Sequence, residues 1–331
     1  MFTEVPLFPE TASTHAEQVD TLFFFLLGVS GAFSVAIAVA LIYFAVRYRR
    51  RSAAETPKPI HSSLALELTW SLVPLAITLV AFVWGAQLFF RSARPPADVM
   101  EVYIVGKQWM WKVQHVGGQR EINQLHVPVG RPVKLTLISQ DVIHSFFVPA
   151  FRIHQDVLPN RYTTVWFEAT KPGKYHLFCS QYCGTDHAQM VGEVIVMSKE
   201  DFAHWLQQGP DGSLASEGRK LFRKLQCITC HSADAQARAP VLEELYGREV
   251  TLRDGKQVRA DDAYLRESIL VPDAKIVAGF QPIMPTYKGQ VDEEEMLQLL
   301  AFIKGLKAGQ TPQRTEAAEP PAVREQEGKK P

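Results

Sequence analysis

Two long stretches without a charged side chain dominate the first part of the chain. They cover residues 22–46 and 68–90, and the connection between them carries four arginines within 47–51 and Lys58 against Glu55. At about 1.5 Å of rise per residue, each stretch can cross a hydrocarbon core of about 30 Å as a helix. The pattern predicts a transmembrane hairpin, with its basic connection in the cytoplasm and both termini and all later residues outside.

The pattern changes to short runs between residues 98 and 197. Val, Ile, Phe and Tyr concentrate in runs separated by Gly, Pro and Asn, and five of these predict strands: 101–105, 132–138, 162–167, 174–178 and 191–196. Several strands within about 100 residues predict an all-β sandwich or barrel. Residues 199–207 predict a short helix that closes this domain, and 208–214 predict a turn-rich linker.

Helical periodicity returns after the linker. An amphipathic helix is predicted from near Glu217 and another helix over 292–303, whereas 311–331 has almost no large apolar residue and is predicted to be disordered. The fold class is therefore a multidomain membrane protein. Its expected parts are an N-terminal segment with the two-helix hairpin (1–94), an all-β domain (95–208), an all-α domain (214–308) and a tail (309–331).

Charge and cysteine usage narrow the function. The 331 residues carry 35 basic and 35 acidic side chains, so the basic footprint of a nucleic-acid-binding protein is absent. The first 20 residues contain no Lys or Arg, which argues against a cleavable signal peptide. All four cysteines fall in two compact motifs, which indicates cofactor chemistry rather than disulfide stapling.

The first motif places Cys179, Cys183, His187 and Met190 within twelve residues. Thiolate and thioether sulfur suit copper, and imidazole suits copper or zinc. Two thiolates four residues apart can bridge a copper pair with one imidazole on each metal. His144, which ends a strand-like run upstream, is the candidate for the second imidazole. A disulfide would leave His187 and Met190 incidental, and a zinc site would need no Met and leave His144 unexplained.

The second motif, Cys227-Ile-Thr-Cys230-His231, is the signature of covalent c-type haem attachment. The cysteines would attach the haem, and His231 would be its proximal ligand. Met284 is the candidate distal ligand, because a thioether opposite His is typical of an electron-transfer haem. Met296 competes with it, but Met296 lies in the helical pattern of 292–303, where packing explains it better.

The segment from Cys179 to Met190, together with His144, resembles the dinuclear CuA site of cytochrome c oxidase subunit II. The resemblance implies a cupredoxin fold whose metal loop joins the last two strands. It also implies bridging cysteines, with the two histidines, Met190 and the carbonyl of Gln181 completing the ligand set. Members often have Glu at this last position, and in some the carboxylate helps to bind a nearby non-redox metal. Gln181 keeps only the carbonyl.

Two further roles follow from this resemblance. Gln108-Trp109-Met110-Trp111 resembles the aromatic motif in which the first Trp passes electrons to the copper pair, although the usual middle Tyr is here Met110. Trp109 could equally be a core residue under the strands. Glu67 resembles a family Glu at a proton-uptake path into subunit I, whereas its position alone favours a simple carboxylate at the membrane interface.

The C-terminal part resembles class I cytochrome c, in which Gly218 and Phe222 of the first helix would meet Leu299 and Phe302 of the last. The resemblance spans about residues 20–307. It implies subunit II of a proton-pumping cytochrome c oxidase with a fused cytochrome c domain, in a bacterial inner membrane. Electrons would pass from cytochrome c or another donor through haem c and CuA to subunit I. The expected partners are subunit I, the other oxidase subunits, the electron donor and the membrane.

Two other functions remain open. A nitric oxide reductase with a CuA subunit would use the same relay, and a membrane-anchored copper chaperone would bind one copper transiently through the cysteines and a distant His. Met190, the haem motif and the lack of a βαβ thioredoxin pattern argue against the chaperone. The remaining histidines have no partner at metal-binding spacing and are predicted to be surface or structural: His15, His61, His115, His126, His154, His176 and His204.

Overall fold

The structure, a computed structural model of the chain, describes residues 8–52, 55–56, 62–207, 213–231, 238–308 and 310. Two long helices, α1 (Thr14–Arg47) and α2 (Leu64–Ala93), contain both predicted membrane-spanning stretches. The most apolar stretch of each helix is 0% buried inside the protein, so its side chains are free to contact lipid. His61, the tail 311–331 and most of the predicted linker 208–214 fall outside the described residues.

Helix α1 begins at Thr14, well before the predicted stretch from residue 22, because its first turns pack on the β domain. Ser13 caps the helix by accepting a 3.0 Å hydrogen bond from a first-turn amide, and its hydroxyl donates to the Phe151 carbonyl at 2.9 Å. Asp20 forms an ion pair with Arg152 at 2.8 Å. These polar contacts extend the helix beyond the apolar stretch, which hydropathy alone does not reveal.

Ten strands form a two-sheet sandwich, which confirms the predicted all-β, cupredoxin-like domain. The strands are β1 (Met100–Lys107), β2 (Met110–His115), β3 (Arg120–Ile122), β4 (Gln124–Pro128), β5 (Pro132–Ser139), β6 (His144–Val148), β7 (Ile153–Val157), β8 (Thr163–Glu168), β9 (Gly173–Cys179) and β10 (Val191–Met197). One sheet has the order β3-β2-β1-β5-β8 and the other β4-β10-β9-β6-β7. Both contribute to one apolar core that includes Leu135, Trp111 and Phe146.

The five predicted runs correspond to β1, β5, β8, β9 and β10, whereas β2, β3, β4 and β7 are too short or too polar for the pattern to reveal. β6 differs, because the predicted strand-like run ends at His144, where β6 begins. The prediction that His144 ends a strand is wrong, because β5 ends at Ser139 and His144 begins β6. Asp141 separates β5 from β6. Its Oδ1 accepts from the Val142 amide at 2.7 Å, and its own amide donates to Ser139 Oγ at 3.1 Å. Such side-chain bonds to the backbone favour a turn over a continuing strand.

The predicted short helix is present as α3 (Lys199–Gln207). The C-terminal part is built from α4 (Leu214–Lys224), α5 (Asp262–Leu270) and α6 (Glu293–Lys304), with a small hairpin of β11 (Glu249–Thr251) and β12 (Gln257–Arg259) between α4 and α5. Helix α4 begins at Leu214 rather than near Glu217 because Ser213 caps it. Asp292 and Glu295 form a reciprocal capping box that fixes the start of α6.

Gly218 allows the close crossing of α4 and α6. A Cβ atom at this position would lie 1.9 Å from the Gln298 carbonyl oxygen and 2.8 Å from Phe302 Cβ. Phe222 packs on Phe302 with ring centroids 5.2 Å apart, as the resemblance implies, and Leu299 lies in the same buried cluster. The contact between the first and last helices is therefore made backbone to backbone at Gly218.

The helical part packs on the outer face of the first sheet. Tyr103, Val105 and Ile138 on this face form a buried cluster with Leu214 of α4 and Leu297 of α6. This apolar contact is small, so the orientation of the helical part on the sheet depends on the polar groups around the contact.

Charged side chains border this contact. Lys304 Nζ of α6 lies 3.1 Å from Tyr103 Oη and 3.4 Å from Glu101 Oε2, and Lys112 Nζ of β2 lies 2.5 Å from Glu294 Oε1. Partly buried ion pairs add little net stability, but their geometry discriminates between orientations. They hold α6 in one register on the sheet.

Gly218→Ala is expected to destabilise the helical part by about 1–3 kcal/mol, because the added methyl group would overpack against the backbone of α6. Denaturant unfolding followed by circular dichroism measures the change. Gly305→Ala is the matched control, since a Cβ at Gly305 meets its nearest atoms at 3.5 Å, and its effect should stay within about 0.5 kcal/mol. Equal stability of the two variants would contradict the close crossing.

Candidate functional site

The loop between β9 and β10 gathers the predicted metal ligands at one end of the sandwich. Cys179 ends β9, and its amide donates to the Met190 carbonyl at 3.1 Å, which closes the loop. His144 joins from β6, because β6 pairs with β9 and sets Phe146 opposite Cys179. Strand pairing, rather than proximity in sequence, brings His144 to the loop.

Cys179 lies at the centre of the site. Its Sγ atom is 3.9 Å from His144 Nδ1, 3.8 Å from Cys183 Sγ and 3.3 Å from the Gln181 carbonyl oxygen. His144, Cys179 and Cys183 are all buried, and one ligand atom from each lies within 4.8 Å of the others. This donor set of sulfur and imidazole nitrogen fits copper.

Cys183 connects the remaining predicted ligands to this group. Its Sγ atom is 3.3 Å from His187 Nδ1 and 3.8 Å from Met190 Sδ. Met190 is 0% exposed, so its thioether lies in an apolar setting. All six groups predicted from the sequence converge on one site.

Asp141 and Gln108 support this arrangement from outside the loop. Asp141 Oδ1 lies 2.7 Å from His144 Nε2, which leaves Nδ1 of the same ring facing Cys179. The other Asp141 oxygen accepts from the Gln108 amide at 2.7 Å, and the Gln108 side chain donates to the Cys183 carbonyl at 2.8 Å. Sequence analysis missed both residues. The position of Asp141 shortly before a candidate His ligand was a usable signal. Gln108 stands in the aromatic motif, but nothing in its spacing points to Cys183.

Glycines allow close approach on both sides of the site. A Cβ atom at Gly106 would lie 2.9 Å from His144 Cδ2, and one at Gly184 would lie 3.2 Å from Trp109 Cζ2. Gly184 also has a φ of +120°, a conformation that favours glycine. Trp109 is half-buried against the core, and its Nε1 has no partner among the described residues. The structure thus places Trp109 directly on the metal loop.

The two thiols differ electrostatically when no metal is bound. Burial raises the pKa of Cys179, but contacts with His144 and the Ser145 backbone outweigh it and leave this pKa below its ordinary value. Burial and the neighbouring Cys179 raise the pKa of Cys183. Because cysteine binds metal as thiolate, metal uptake must displace the Cys183 proton, and apparent metal affinity should rise with pH.

A second centre lies in the helical part, where Cys227, His231 and Met284 line one mainly apolar cavity of about 1050 Å³, including its open mouth. One short turn sets the motif, because the His231 amide donates to the Cys227 carbonyl at 3.0 Å. Cys230 is half-buried in the same turn. The other walls include apolar side chains from several elements: Phe222, Leu245, Leu265, Ile269, Leu299 and Ile303.

Pro240 orients the His231 ring, since its carbonyl oxygen lies 3.0 Å from His231 Nδ1 and accepts a hydrogen bond from it. Burial lowers the pKa of His231, so the imidazole stays neutral and its Nε2 is free to bind a metal. Met296 is 1% exposed within α6 and is not among the described residues that line the cavity. The structure therefore brings Met284, and not Met296, into the cavity with His231.

Two histidines without a partner in the sequence pattern are joined by a carboxylate. Glu121 Oε1 lies 2.8 Å from His115 Nε2, and Glu121 Oε2 contacts His126 Nδ1. Trp205 of α3 packs on both imidazole rings. This buried group fastens α3 to the sandwich, which agrees with a structural interpretation of both histidines.

Glu67 lies in the first turn of α2 and is exposed. Arg91, near the other end of α2, accepts a 3.3 Å hydrogen bond through its carbonyl from Trp166 Nε1 of the sandwich. At about 1.5 Å per residue these two positions are about 36 Å apart along the helix. Glu67 therefore lies at the end of the hairpin remote from the β domain.

Family models match the chain in three consecutive parts. The transmembrane domain of cytochrome c oxidase subunit II matches residues 3–85, its periplasmic domain matches 117–198, and cytochrome c matches 215–307. A cytochrome c oxidase subunit 2 of Alkalihalophilus pseudofirmus is 29% identical over 291 residues, covering 82% of this chain and 83% of the relative. Another from Thermostichus vulcanus is 31% identical over 256 residues, covering 61% and 78%.

Among solved structures, the periplasmic domain of subunit II of cytochrome oxidase from Bradyrhizobium japonicum is 29% identical. It covers 35% of this chain and 96% of its own, with a TM-score of 0.34. A membrane hairpin, a β domain with clustered thiol and imidazole groups and a helical domain with a haem-attachment motif together define a membrane-anchored redox protein. The chain belongs to the cytochrome c oxidase subunit II family, with a cytochrome c domain fused at its C-terminal side.

Membership defines what this chain does in general terms. It is a membrane protein and a subunit of an oxidoreductase complex, and it associates with the other oxidase subunits. Its β domain is of the kind that holds copper, and its helical domain is of the kind that holds haem. The relatives favour neither a nitric oxide reductase nor a copper chaperone.

Asp141→Asn is expected to weaken copper binding by about 10- to 100-fold, because the carboxylate that orients His144 is lost. Competition titration against a copper chelator measures the affinity. The exposed Asp156 of β7 provides the control variant Asp156→Asn, which should bind copper like the unmodified protein. An unchanged affinity in Asp141→Asn would show that this carboxylate does not position the imidazole.

Proposed function

We propose that this subunit carries electrons from cytochrome c, or another donor, towards the oxygen-reducing subunit I of the oxidase. When bound, haem c and the dinuclear CuA centre supply the one-electron carriers of this relay. The proposal rests on one observation: a single chain holds the buried cluster of His144, Cys179 and Cys183 and a separate cavity with the haem-attachment motif. The names of the relatives favour oxygen over nitric oxide as the final acceptor.

The proposed copper centre uses all six convergent groups as ligands: Cys179, Cys183, His144, His187, Met190 and the Gln181 carbonyl. Each thiol contacts a different imidazole, which supports both His144 and His187 as residues that would hold copper. Both cysteines are free and their sulfur atoms are 3.8 Å apart, which supports shared metal ligation over a disulfide. The buried Met190 thioether beside Cys183 would suit a weak copper ligand.

Cys227 and Cys230 would attach the proposed haem covalently, and His231 and Met284 would hold its iron. The neutral His231, held by Pro240, supports this assignment because it presents Nε2 for coordination. The mainly apolar walls would limit the contact of a bound haem with water, which with a thioether ligand would favour a raised reduction potential.

Trp109 is the proposed point of electron entry into the copper centre, because it touches the metal loop at Gly184 while remaining partly exposed. The redox domains and both termini are proposed to lie on the periplasmic side of a bacterial inner membrane, since the basic connection between the helices favours the cytoplasm. The proposed domain bounds are 1–94, 95–208 and 214–308, which follow the breaks between elements.

Met284→Ala is expected to abolish the sulfur-to-iron absorption band of the oxidised haem and to lower its reduction potential, because a thioether ligand is lost. Optical spectra and a redox titration of the full chain measure both. Met296→Ala, which leaves a cavity in the core beside α6, should lower the free energy of unfolding by about 2–5 kcal/mol and leave the absorption band in place. If the band disappears in Met296→Ala instead, the assignment of Met284 is wrong.

Glu67→Gln is expected to slow oxygen consumption by the assembled oxidase by about tenfold, because an amide cannot accept a proton from water and pass it on. Reduction of CuA after flash reduction of haem c should be unchanged, since Glu67 lies at the remote end of the hairpin. Glu55→Gln, in the connection that precedes α2, is the control and should leave turnover unaltered. Normal turnover in Glu67→Gln, or an equal loss in both assays, would refute a role in proton delivery.

A further inference from the structure

A pocket of about 830 Å³, part of it open to solvent, lies where the helical hairpin joins the sandwich. Its lining comes from the start of α1, the end of α2 and Trp166 of β8. The redox centres do not use any of these residues. The proposed electron relay therefore does not account for this pocket.

Two arginines give the pocket a positive charge. Arg91 and Arg94 both line it and both are exposed. The Arg94 guanidinium lies over the Phe90 ring, 5.7 Å from its centroid. In the part of the chain that the structure describes, neither arginine forms an ion pair with a carboxylate. Asp20 of α1 follows the pocket-lining residue Gln18 closely in sequence, but it is paired with Arg152 instead.

The start of α1 adds two further features that favour an anion. The first residues of this helix, Thr14 and His15, line the pocket, and the start of a helix carries a partial positive charge. Ser13 already accepts from the Ala16 amide, and the Glu17 carboxylate of this turn does not line the pocket. His15 is only 5% exposed and packs edge-on against Trp166 at 4.4 Å. Its Nδ1 is buried and has no hydrogen-bond partner among the described residues. A buried imidazole nitrogen without a partner is costly unless a ligand satisfies it.

The position of the pocket relative to the membrane identifies the class of anion that it would bind. The uncharged stretch of α1 begins at residue 22 and that of α2 ends at residue 90, so Arg91 and Arg94 directly follow the hydrocarbon-spanning segment. Lipid phosphates lie at this level, and basic pockets beside transmembrane helices bind anionic head groups. Phe23, Phe24, Phe89 and Phe90 nearby are exposed and could contact acyl chains.

We propose that this pocket binds the head group of an anionic phospholipid on the side of the membrane that carries the β domain. Arg91 and Arg94 contact the phosphate, His15 supplies a hydrogen bond through Nδ1, and Phe90 packs on the upper part of an acyl chain. The bound lipid fills the junction between hairpin and sandwich. It thereby supports the orientation in which the β domain is presented to the other oxidase subunits.

Native mass spectrometry of the full chain in detergent, titrated with phosphatidylglycerol or phosphatidylcholine, tests this proposal. Phosphatidylglycerol should bind one molecule per chain more tightly than phosphatidylcholine. The double variant Arg91→Gln with Arg94→Gln should weaken phosphatidylglycerol binding by about thirtyfold, because each arginine near a charged lipid contributes about 1 kcal/mol. Arg91→Lys with Arg94→Lys keeps the charge, so it should retain most of the affinity and show that loss of binding is not misfolding.

Arg47→Gln with Arg49→Gln is the matched control, since it removes two arginines at the other end of the hairpin, outside the pocket. It should leave the tight phosphatidylglycerol site intact. An equal loss in this control, or equal binding of phosphatidylcholine, would overturn the proposal. Displacement of the lipid by inorganic phosphate at similar concentrations would indicate a free-phosphate site instead. Absence of the bound lipid from the assembled oxidase would indicate that an acidic segment of a neighbouring subunit fills the pocket.

Discussion

The pairing of β6 with β9 is the interaction on which the metal site depends. It sets Phe146 opposite Cys179 and so brings the His144 ring to the thiol of Cys179. Without this pairing, the loop would keep two thiols, one imidazole and one thioether, but the second imidazole would be missing. The hydrogen bond that His144 Nε2 donates to Asp141 then fixes which ring nitrogen faces the sulfur. A site held by a sheet and by a second layer of hydrogen bonds can keep its geometry when its charge changes.

The same sandwich positions the other two parts of the chain. The start of α1 is fastened to it by Ser13 and by the pair of Asp20 with Arg152. On the outer face of the first sheet, α6 contributes Leu297 to the contact with the sandwich and turns Ile303 towards the haem cavity. One helix therefore links the sheet to the cavity wall. Packing therefore holds the two candidate redox centres in a fixed relation.

The sequence reveals features that are local and contiguous. The candidate ligands from Cys179 to Met190 and the haem-attachment motif each stand within one short segment, so the chemistry that they favour can be predicted before the fold is known. The hairpin is equally clear, because the lipid core imposes one length and one composition on it. His144 could be chosen as a ligand from its neighbourhood, but the strand it belongs to could not, because Asp141 ends the preceding run through its own side-chain bonds.

Features that depend on tertiary contacts stay hidden in the sequence. Gln108 reaches the Cys183 carbonyl across 75 positions of the chain, and no spacing rule anticipates such a contact. The early start of α1 depends on Phe151 and Arg152, which belong to another element. The partnership of His115 and His126 through Glu121 arises because β3 pairs with β2 and is followed directly in the chain by β4, and the pattern did not reveal these short strands.

Electron paramagnetic resonance of the oxidised, copper-loaded full chain tests the central claim most directly, because it counts the coppers that share the unpaired electron. If Cys179 and Cys183 bridge two metals with one imidazole each, the spectrum will show hyperfine coupling to two equivalent copper nuclei. Coupling to a single copper nucleus would contradict the account, since the convergent ligands would then form an ordinary mononuclear site.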